Sequence, residues 1–143
     1  MRNIKNHHLY NVWNQVPVNY YQQGVKKNLF QYLWHTHKIK LAKHILSQLE
    51  FNNCLDVGCA SGYMVSQIAN IFPKTKYFGI DIYDKAIDYA KKTYPQINFK
   101  VATADKLPFK ENTFDIILFY ETIEHVENPE KCLKEIRRVL RKD

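Results

Sequence analysis

The sequence predicts an α/β fold in which a parallel sheet with crossover helices follows an N-terminal helical region. Short β-rich segments alternate with amphipathic helical patterns from Cys54 onward, the order that gives parallel strands joined by helices. Residues 114–120 are the most apolar run, as expected of a strand buried on both faces. The chain has 143 residues, 45% hydrophobic and 24% charged, which fits one globular domain with a core.

Four strands are predicted, all of them short and β-rich. They are residues 53–57, 77–81, 98–102 and 114–120. The helix between the first two strands follows Ser61, presents apolar residues at helical spacing and ends before Pro73. Its apolar residues are Met64, Ile68 and Ile71.

Two more helices follow the second and fourth strands. The first of them is apolar on one side and is closed by a proline: Ala86, Ile87, Ala90 and Pro95. The last helix begins with Asn128 as N-cap, Pro129 at the first position and Glu130 in the first turn. Its apolar stripe consists of Cys132, Leu133, Ile136, Val139 and Leu140.

A helical region of different character, aromatic and basic, precedes the sheet at about residues 18–49. Its second part has a predicted core stripe of Ile39, Ala42, Ile45, Leu46 and Leu49. Its first part has an aromatic cluster of Tyr20, Tyr21, Phe30, Tyr32 and Trp34. Residues 1–16 show no interpretable pattern. We therefore expect an N-terminal helical cap at residues 1–49 and a core at residues 50–143.

Charge and composition indicate where the protein is located, whether its cysteines bind metal, and which kinds of partner it could bind. No run of about 20 apolar residues is present and the first ten residues are polar, so a cytoplasmic location without a membrane segment is predicted. The three cysteines show no metal-binding spacing and are expected to be reduced thiols. The net charge of +7 has two explanations: solvated lysine faces, which we favour, or an anionic substrate such as RNA.

The segment at residues 55–62, at the turn from the first strand into a helix, is the clearest candidate for a ligand-binding site. Gly58 permits a sharp turn, and small residues at Ala60 and Gly62 leave room for a ligand against the main chain. The free N–H groups of the following helix suit an anionic group such as a carboxylate. A dinucleotide fingerprint requires a third glycine where Tyr63 stands, which argues against pyrophosphate binding.

This segment resembles motif I of the class I S-adenosylmethionine-dependent methyltransferases, in which an acidic residue precedes G-x-G-x-G. Here Asp56 is the acidic residue, and Ala60 replaces the middle glycine. Later elements agree with the same family in order and spacing: Gly79-Ile80-Asp81-Ile82, then Ala104-Asp105 with Leu107-Pro108-Phe109, then residues 114–126 with Asn128-Pro129-Glu130. The last of these is similar to the small-molecule and quinone-type subfamily.

The resemblance implies S-adenosylmethionine as cofactor and a Rossmann-like fold of seven strands. Strands 1–4 would be present here and the C-terminal part missing. Asp56 would hold the cofactor's ammonium group, the loop its carboxylate, Asp81 its ribose and Asp105 its adenine amino group. The residues implied to bind the cofactor are Asp56, Gly58, Cys59, Ala60, Gly62, Asp81, Ile82, Ala104, Asp105 and Tyr120.

His125 is the candidate general base, since an oxygen or nitrogen acceptor has to lose a proton. Alternatively, His125 and Glu124 only hold the loop after the fourth strand. The spacing Glu121-x-x-Glu124-His125 also resembles the Mg²⁺ or Mn²⁺ site of some RNA and quinone O-methyltransferases. A further His ligand expected in such sites would fall beyond Asp143, so no metal is predicted.

The pair His35 and His37 stands in the cap region with one residue between. Alternate residues of a helix point in different directions, so a zinc site is disfavoured. By resemblance, Tyr20, Tyr21 and His35 could instead form a lid over the cofactor, although simple packing of the aromatic residues is favoured.

The expected activity is methyl transfer to an acceptor, with a small molecule favoured and nucleic acid left open. The first alternative is a cofactor-binding module without turnover, followed by an RNA methyltransferase or an NAD-dependent oxidoreductase. The fourth strand would lie at an open apolar edge, where a second copy of the chain could pair and form a homodimer.

Overall fold

The computed structural model describes residues 8–142, which form a parallel four-stranded sheet with helices on both faces. The helices are α1 (His8–Trp13), α2 (Tyr20–Lys27), α3 (Leu29–Leu46), α4 (Tyr63–Ile71), α5 (Asp84–Thr93) and α6 (Pro129–Val139). The strands are β1 (Asn53–Val57), β2 (Lys76–Asp81), β3 (Asn98–Val101) and β4 (Ile116–Leu118). Their order in the sheet is β3-β2-β1-β4, and every pairing is parallel. The predicted α/β Rossmann-like sheet is confirmed.

The side chains of β1 alternate between two hydrophobic clusters, one on each face of the sheet. Cys54 belongs to the cluster that includes residues of α3, α4 and α5. Leu55 and Val57 belong to the other cluster, together with Val139 of α6. This alternation follows from the two-residue period of a strand, and burial of both faces is typical of a parallel sheet. The central position of β1 brings its C-terminal turn to the middle of one sheet edge.

The predicted fourth strand is only partly correct. The strand β4 has three residues rather than seven, and Ile116 and Ile117 are only partly buried. Within the described residues, β4 pairs with β1 alone and lies at the edge of the sheet. The side chains of β4 pack against the clusters on both faces of the sheet, but as an edge strand it is less completely buried than predicted. The predicted open edge is present along β4 itself, whereas Phe114 just before it forms a parallel bridge with Leu140. A homodimer through this edge stays a prediction.

The helical region before the sheet is divided at Asn28. The Asn28 side chain accepts hydrogen bonds from the N–H groups of Phe30 and Gln31, at 2.9 and 3.2 Å. It is therefore an N-cap that ends α2 and starts α3.

The predicted side-chain pattern of this region is wrong in two respects. The buried residues of α3 are His35, Ala42 and Leu46, whereas Ile45 and Leu49 of the predicted stripe are half exposed. Tyr20, Phe30, Tyr32 and Trp34 are also exposed, so most of the aromatic residues do not form a packed cluster. The reason is that the core face of α3 is centred on His35 rather than on the larger apolar residues.

The helix α1 lies in a stretch where the sequence showed no pattern. Tyr10 is buried, stacks edge-on against Tyr83 and donates a hydrogen bond to the Asp84 carboxylate at 3.0 Å. This contact ties α1 to the start of α5. Residues 1–7, on which part of the predicted cap and of the polar N-terminus falls, lie outside the described residues.

The last helix agrees closely with its prediction. Asn128 accepts from the Lys131 N–H at 2.9 Å, and Pro129 is the first helical residue. Cys132 and Val139 face the core, while Leu133 of the predicted stripe is half exposed. Across residues 8–142, no helix combines the length and the apolar character needed to cross a bilayer.

Candidate functional site

The turn from β1 into α4 is held against the end of β2. The N–H groups of Gly58 and Cys59 both donate to the Ile80 carbonyl, at 2.8 and 3.0 Å. Gly58 and Gly62 have φ values of 79° and 76°, in the left-handed region that favours glycine. A Cβ on Gly58 would lie 2.3 Å from Thr122 Oγ1, and one on Gly62 would lie 2.7 Å from the Phe99 ring. Both glycines are therefore required by backbone conformation and by space.

Ala60 also adopts the left-handed conformation, with φ of 46°. Its Cβ is costly there, because a left-handed residue with a side chain loses roughly 1–2 kcal/mol relative to the right-handed form. The position is nevertheless fixed, since the Ala60 N–H donates to Asp81 Oδ2 at 2.8 Å. The alanine is thus compatible with the loop but strained in it.

Replacing Ala60 with glycine is expected to stabilise the protein by about 1 kcal/mol, because the left-handed strain disappears. Denaturant unfolding of the two proteins measures this difference. Ala69→Gly in α4 is a contrasting control, expected to destabilise by about 1 kcal/mol or more because the helix gains a flexible residue. If Ala60→Gly lowered the free energy of unfolding, the inferred backbone strain at Ala60 would be wrong.

Asp81 at the end of β2 joins two turns. Its Oδ2 accepts from Ala60 N–H, and its Oδ1 accepts from Tyr83 N–H at 2.9 Å. Burial raises the pKa of Asp81, while these backbone hydrogen bonds act in the opposite direction. The carboxylate therefore fixes the β1–α4 loop relative to the start of α5. It still lines a cavity with part of its surface.

The main cavity has a volume of about 510 Å³ and lies at the C-terminal ends of the strands. Its walls come from the β1–α4 loop, the end of β2, residues 102–105 after β3, residues 120–128 after β4, and α6. A smaller cavity of about 50 Å³ adjoins it and is lined by Asp56, Cys59, His35 and Tyr63 among others. Both cavities share the residues Tyr21, Gly58, Ala60, Tyr120 and Glu121.

The residues that the sequence singled out converge on these two cavities. Those lining the main cavity are Gly58, Ala60, Asp81, Ile82, Ala104, Asp105, Tyr120 and His125. Asp56 and Cys59 line the smaller cavity. Gly62 lines neither of them, since it faces Phe99 and Ala90 and provides the start of α4. Its contribution is to the backbone of the loop.

Asp56 is buried in the smaller cavity, and its pKa is raised from 3.8 to about 7. Burial is the main cause, because a carboxylate loses its hydration there, and the nearby charge of Asp81 adds to it. Asp56 therefore exchanges its proton near neutral pH. A cation bound in this cavity would favour the ionised form.

Protonated Asp56 is expected to raise the free energy of unfolding, and this contribution declines as the pH rises from about 4 to about 7. Over this range the folded protein binds the Asp56 proton more tightly than the unfolded chain does, so a rise in pH favours unfolding. Denaturant unfolding at several pH values, compared between the parent and Asp56→Asn, isolates this contribution. Equal pH dependence in both proteins would show that Asp56 titrates normally.

Asp105 forms a second carboxylate position on the wall of the main cavity. Its Oδ2 accepts from Lys131 Nζ of α6 at 3.1 Å. A hydrogen bond with Thr103, followed by the contact with Lys131, lowers the pKa of Asp105, so this carboxylate is ionised at neutral pH. The two carboxylates Asp81 and Asp105 thus present hydrogen-bond acceptors at the ends of neighbouring strands.

Helix α2 contributes to the wall of both cavities, and α3 contributes to the wall of the smaller one. Tyr21 lines both, and its pKa is raised to about 12 by burial and by the carboxylates of Glu121, Asp81 and Asp56. The ring of His35 contacts Tyr21 edge-on, with centroids 5.4 Å apart. Of the three residues named for a lid, Tyr21 and His35 line a cavity and Tyr20 is exposed, so a lid over the cofactor stays a prediction.

Hydrogen bonds attach these helices to the loops of the sheet. Glu121, the residue after Tyr120, accepts from Trp34 Nε1 at 3.1 Å and from Lys38 Nζ at 2.8 Å. Ser61 in the β1–α4 loop donates to the side chain of Gln22 at 3.0 Å. Sequence reasoning missed Gln22 and Lys38, because nothing in their local pattern indicates a partner so distant in the chain.

The segment after β4 contains the candidate base and the considered metal ligands. His125 ends a single turn of 3₁₀ helix, Ile123–His125, and faces the main cavity. The carboxylate of Glu121 accepts hydrogen bonds from Trp34 and Lys38. In the part of the chain described by the structure, no group of three His, Cys, Asp or Glu residues is arranged to hold a metal ion. His35 is buried and His37 exposed, so these two do not converge either.

Comparison with known proteins identifies the family. A family model for the methyltransferase domain matches residues 55–143, more than half of the chain. The chain belongs to this methyltransferase family. It is thereby a class I S-adenosylmethionine-type methyltransferase domain, in agreement with the resemblance of its motifs.

Two curated methyltransferases illustrate the similarity. The sterol 4-C-methyltransferase strm-1 of Caenorhabditis elegans is 30% identical over 107 residues, which cover 68% of this chain and 31% of that protein. The demethylmenaquinone methyltransferase of Chlorobaculum tepidum is 30% identical over 107 residues, covering 73% of this chain and 44% of that protein. The methyltransferase chain thus spans less than half the length of either relative.

A solved structure supports the same fold. It is an S-adenosylmethionine-dependent methyltransferase of Thermotoga maritima, described as a possible histamine N-methyltransferase. The TM-score is 0.73 and the identity 27%, with 94% of this chain and 58% of that chain covered. The similarity therefore includes the helices before the sheet as well as the sheet.

Proposed function

We propose that this protein binds S-adenosylmethionine in the two adjoining cavities and transfers its methyl group to a small-molecule acceptor. The observation that carries the proposal is the distribution of carboxylates along the cavities. Asp56 lies in the smaller one, and Asp81 and Asp105 lie in the larger one. This matches a ligand with a cationic amino acid end and a nucleoside end. The main cavity also has the volume typical of small-molecule sites.

The nucleoside end would be held by residues after β2 and β3. Asp81 accepts hydrogen bonds from the ribose hydroxyls while keeping its bonds to the loop, since a carboxylate can accept several. Ile82 and Ala104 provide apolar contacts to the adenine, and Asp105 accepts from its amino group. The bond between Asp105 and Lys131 orients the Asp105 carboxylate.

The amino acid end would be held beside β1. Asp56 pairs with the ammonium group, and this ion pair offsets the cost of ionising a buried carboxylate. The backbone from Gly58 to Gly62 and the N-terminus of α4 hold the carboxylate of the ligand. Tyr21 covers this region from α2 and excludes water.

The bound cofactor supplies a methyl group already activated by its sulfonium, so the protein needs no covalent nucleophile. The chain contributes by placing the acceptor in line, in a site where Tyr21 and Tyr120 reduce contact with water. His125 faces the same cavity and takes the proton of an oxygen or nitrogen acceptor. The two relatives described above, a sterol and a demethylmenaquinone methyltransferase, support a small organic acceptor. A cytoplasmic location stays a prediction.

Isothermal calorimetry with S-adenosylmethionine, S-adenosylhomocysteine and NADH tests the cofactor assignment. We expect both adenosyl ligands to bind and NADH not to bind; the reverse result would indicate an oxidoreductase and refute the proposal. Release of S-adenosylhomocysteine in the presence of candidate phenol, amine and quinol acceptors tests the methyl transfer. Binding without release for every acceptor class would favour a cofactor-binding module.

The role of His125 is tested with an acceptor that supports turnover. His125→Asn is expected to reduce kcat by a factor of about 100 or more, because positioned bases contribute roughly 10²–10⁴-fold. Cofactor affinity should stay unchanged, and the loss should diminish as pH rises and the acceptor ionises unaided. Unchanged kcat would assign His125 to the loop structure instead.

A further inference from the structure

Helix α3 is apolar on two opposite sides, which is unusual for a helix at the surface. One side is buried in the hydrophobic cluster that α3 shares with α4, α5 and β1. The other exposes Leu29, Phe30 and Leu33, with 72%, 74% and 55% of their surfaces accessible. A helix that is apolar all round is normally buried, and a continuous exposed apolar surface marks a site of interaction. We call this side the α3 outer face: Leu29, Phe30, Leu33, Trp34, Leu41 and Ile45.

The charge of the chain is concentrated in the same region. Residues 1–49 contain seven Lys and Arg and no Asp or Glu, whereas residues 50–143 contain 14 residues of each sign. The formal charge of +7 therefore belongs to the N-terminal third of the chain. Four of these lysines are exposed next to the α3 outer face, two at the end of α2 and two within α3: Lys26, Lys27, Lys40 and Lys43.

We propose that the α3 outer face and these lysines dock the protein on an anionic membrane surface. The apolar side chains enter the interface between headgroups and acyl chains, and the lysines contact the anionic headgroups. This mode of binding leaves the helix in the plane of the surface and requires no spanning segment. The proposal does not depend on the proposed catalytic activity.

Charge disfavours a second copy of this chain as the occupant. A symmetric contact between two α3 outer faces would bring two sets of lysines together without any carboxylate from residues 1–49 to neutralise them. Composition disfavours a nucleic acid. Four of the six residues of the α3 outer face are leucine or isoleucine, which offer no stacking surface to bases, and α2 and α3 contain no arginine. The combination of aliphatic residues with lysine fits an anionic lipid surface.

The proposed surface is connected to the mouth of the cavities. Trp34 of the α3 outer face donates to Glu121, which lines both cavities. Docking through α3 would therefore place the entrance of the site beside the bilayer. An acceptor dissolved in the membrane could reach the cavity without crossing bulk water.

Vesicle binding of the purified chain tests the proposal without any cofactor. We expect sedimentation with vesicles of phosphatidylcholine and phosphatidylglycerol but not with phosphatidylcholine alone, and weaker binding at high salt. Leu33→Ser with Leu41→Ser should reduce affinity at least tenfold. Lys40→Gln with Lys43→Gln should reduce it about fivefold per lysine. Leu133→Ser on α6, where the leucine is 48% exposed, is the matched control and should bind like the parent.

A spectroscopic measurement locates the contact. In a Trp13→Phe background Trp34 is the only tryptophan, and its emission should shift to shorter wavelength on anionic vesicles. Unchanged thermal unfolding of each variant confirms that the fold is retained. Equal binding to both vesicle types, or to neither, would overturn the proposal. It would also be overturned if the leucine variants abolished self-association, or the lysine variants abolished RNA binding, while vesicle binding stayed unchanged.

Discussion

Replacing Asp81 with alanine is expected to weaken S-adenosylmethionine binding about 100-fold. The proposed role gives Asp81 two charge-assisted hydrogen bonds to the ribose, each contributing about 1.5 kcal/mol or more. The substitution also removes the acceptor for Ala60 N–H and Tyr83 N–H, so the β1–α4 loop becomes less well positioned. Calorimetric titration of the parent and the variant measures the loss directly.

Two variants separate the ribose contact from the loop contact. Asp81→Asn keeps the size of the side chain and one acceptor oxygen, so an intermediate loss is expected. Asp84→Ala removes a nearby carboxylate that bonds Tyr10 and lies outside the residues lining either cavity. Its cofactor affinity should stay close to that of the parent. If Asp81→Ala bound the cofactor as tightly as the parent does, the proposed site would be wrong.

Gly58→Ala is expected to lower the free energy of unfolding by about 3 kcal/mol and to abolish measurable cofactor binding. The left-handed φ of 79° contributes roughly 1–2 kcal/mol of strain to any residue with a Cβ. The new methyl group would also lie 2.3 Å from Thr122 Oγ1, which costs about 1–3 kcal/mol as overpacking. Denaturant unfolding and calorimetry measure the two losses.

The Thr122 side chain allows the two causes to be separated. Thr122 Oγ1 donates to the carbonyl of Tyr120 at 2.8 Å, so it cannot turn aside without losing this bond. The double variant Gly58→Ala with Thr122→Ala relieves the overlap but keeps the backbone strain. Its stability should exceed the value expected from adding the two single losses. Strict additivity would show that the contact with Thr122 contributes nothing.

The sheet could be predicted from sequence because its signals are local. Strand β1 appears with its predicted bounds, and β2 starts one residue before the predicted one. The N-cap of α6 was likewise predicted, since Asn128 and Pro129 act within one turn. The fourth strand was predicted too long, because an apolar run indicates burial but not the presence of a neighbouring strand.

Residues that line the two cavities could be predicted where the backbone geometry requires a particular residue type. Gly58 and Asp81 stand at turns whose geometry requires a glycine or an acceptor. Thr122, Gln22 and Lys38 were missed, because their role depends on tertiary contacts between segments far apart in the chain. The left-handed conformation of Ala60 could not be predicted from sequence, because alanine is not typical of this conformation.

The order of strands in the sheet has a consequence for assembly of the protein. Cys54 pairs with Tyr77 of the next strand and with Ile116 of the last strand, so one pairing closes a short loop and the other a much longer one. Short loops close at lower entropic cost, and contacts distant in sequence slow folding. The side of the cleft formed by the ends of β1 and β2 therefore belongs to the part of the sheet with the shorter loop, which closes at lower entropic cost. The wall carrying Glu121 and His125 is completed only when the chain returns to the other edge of β1.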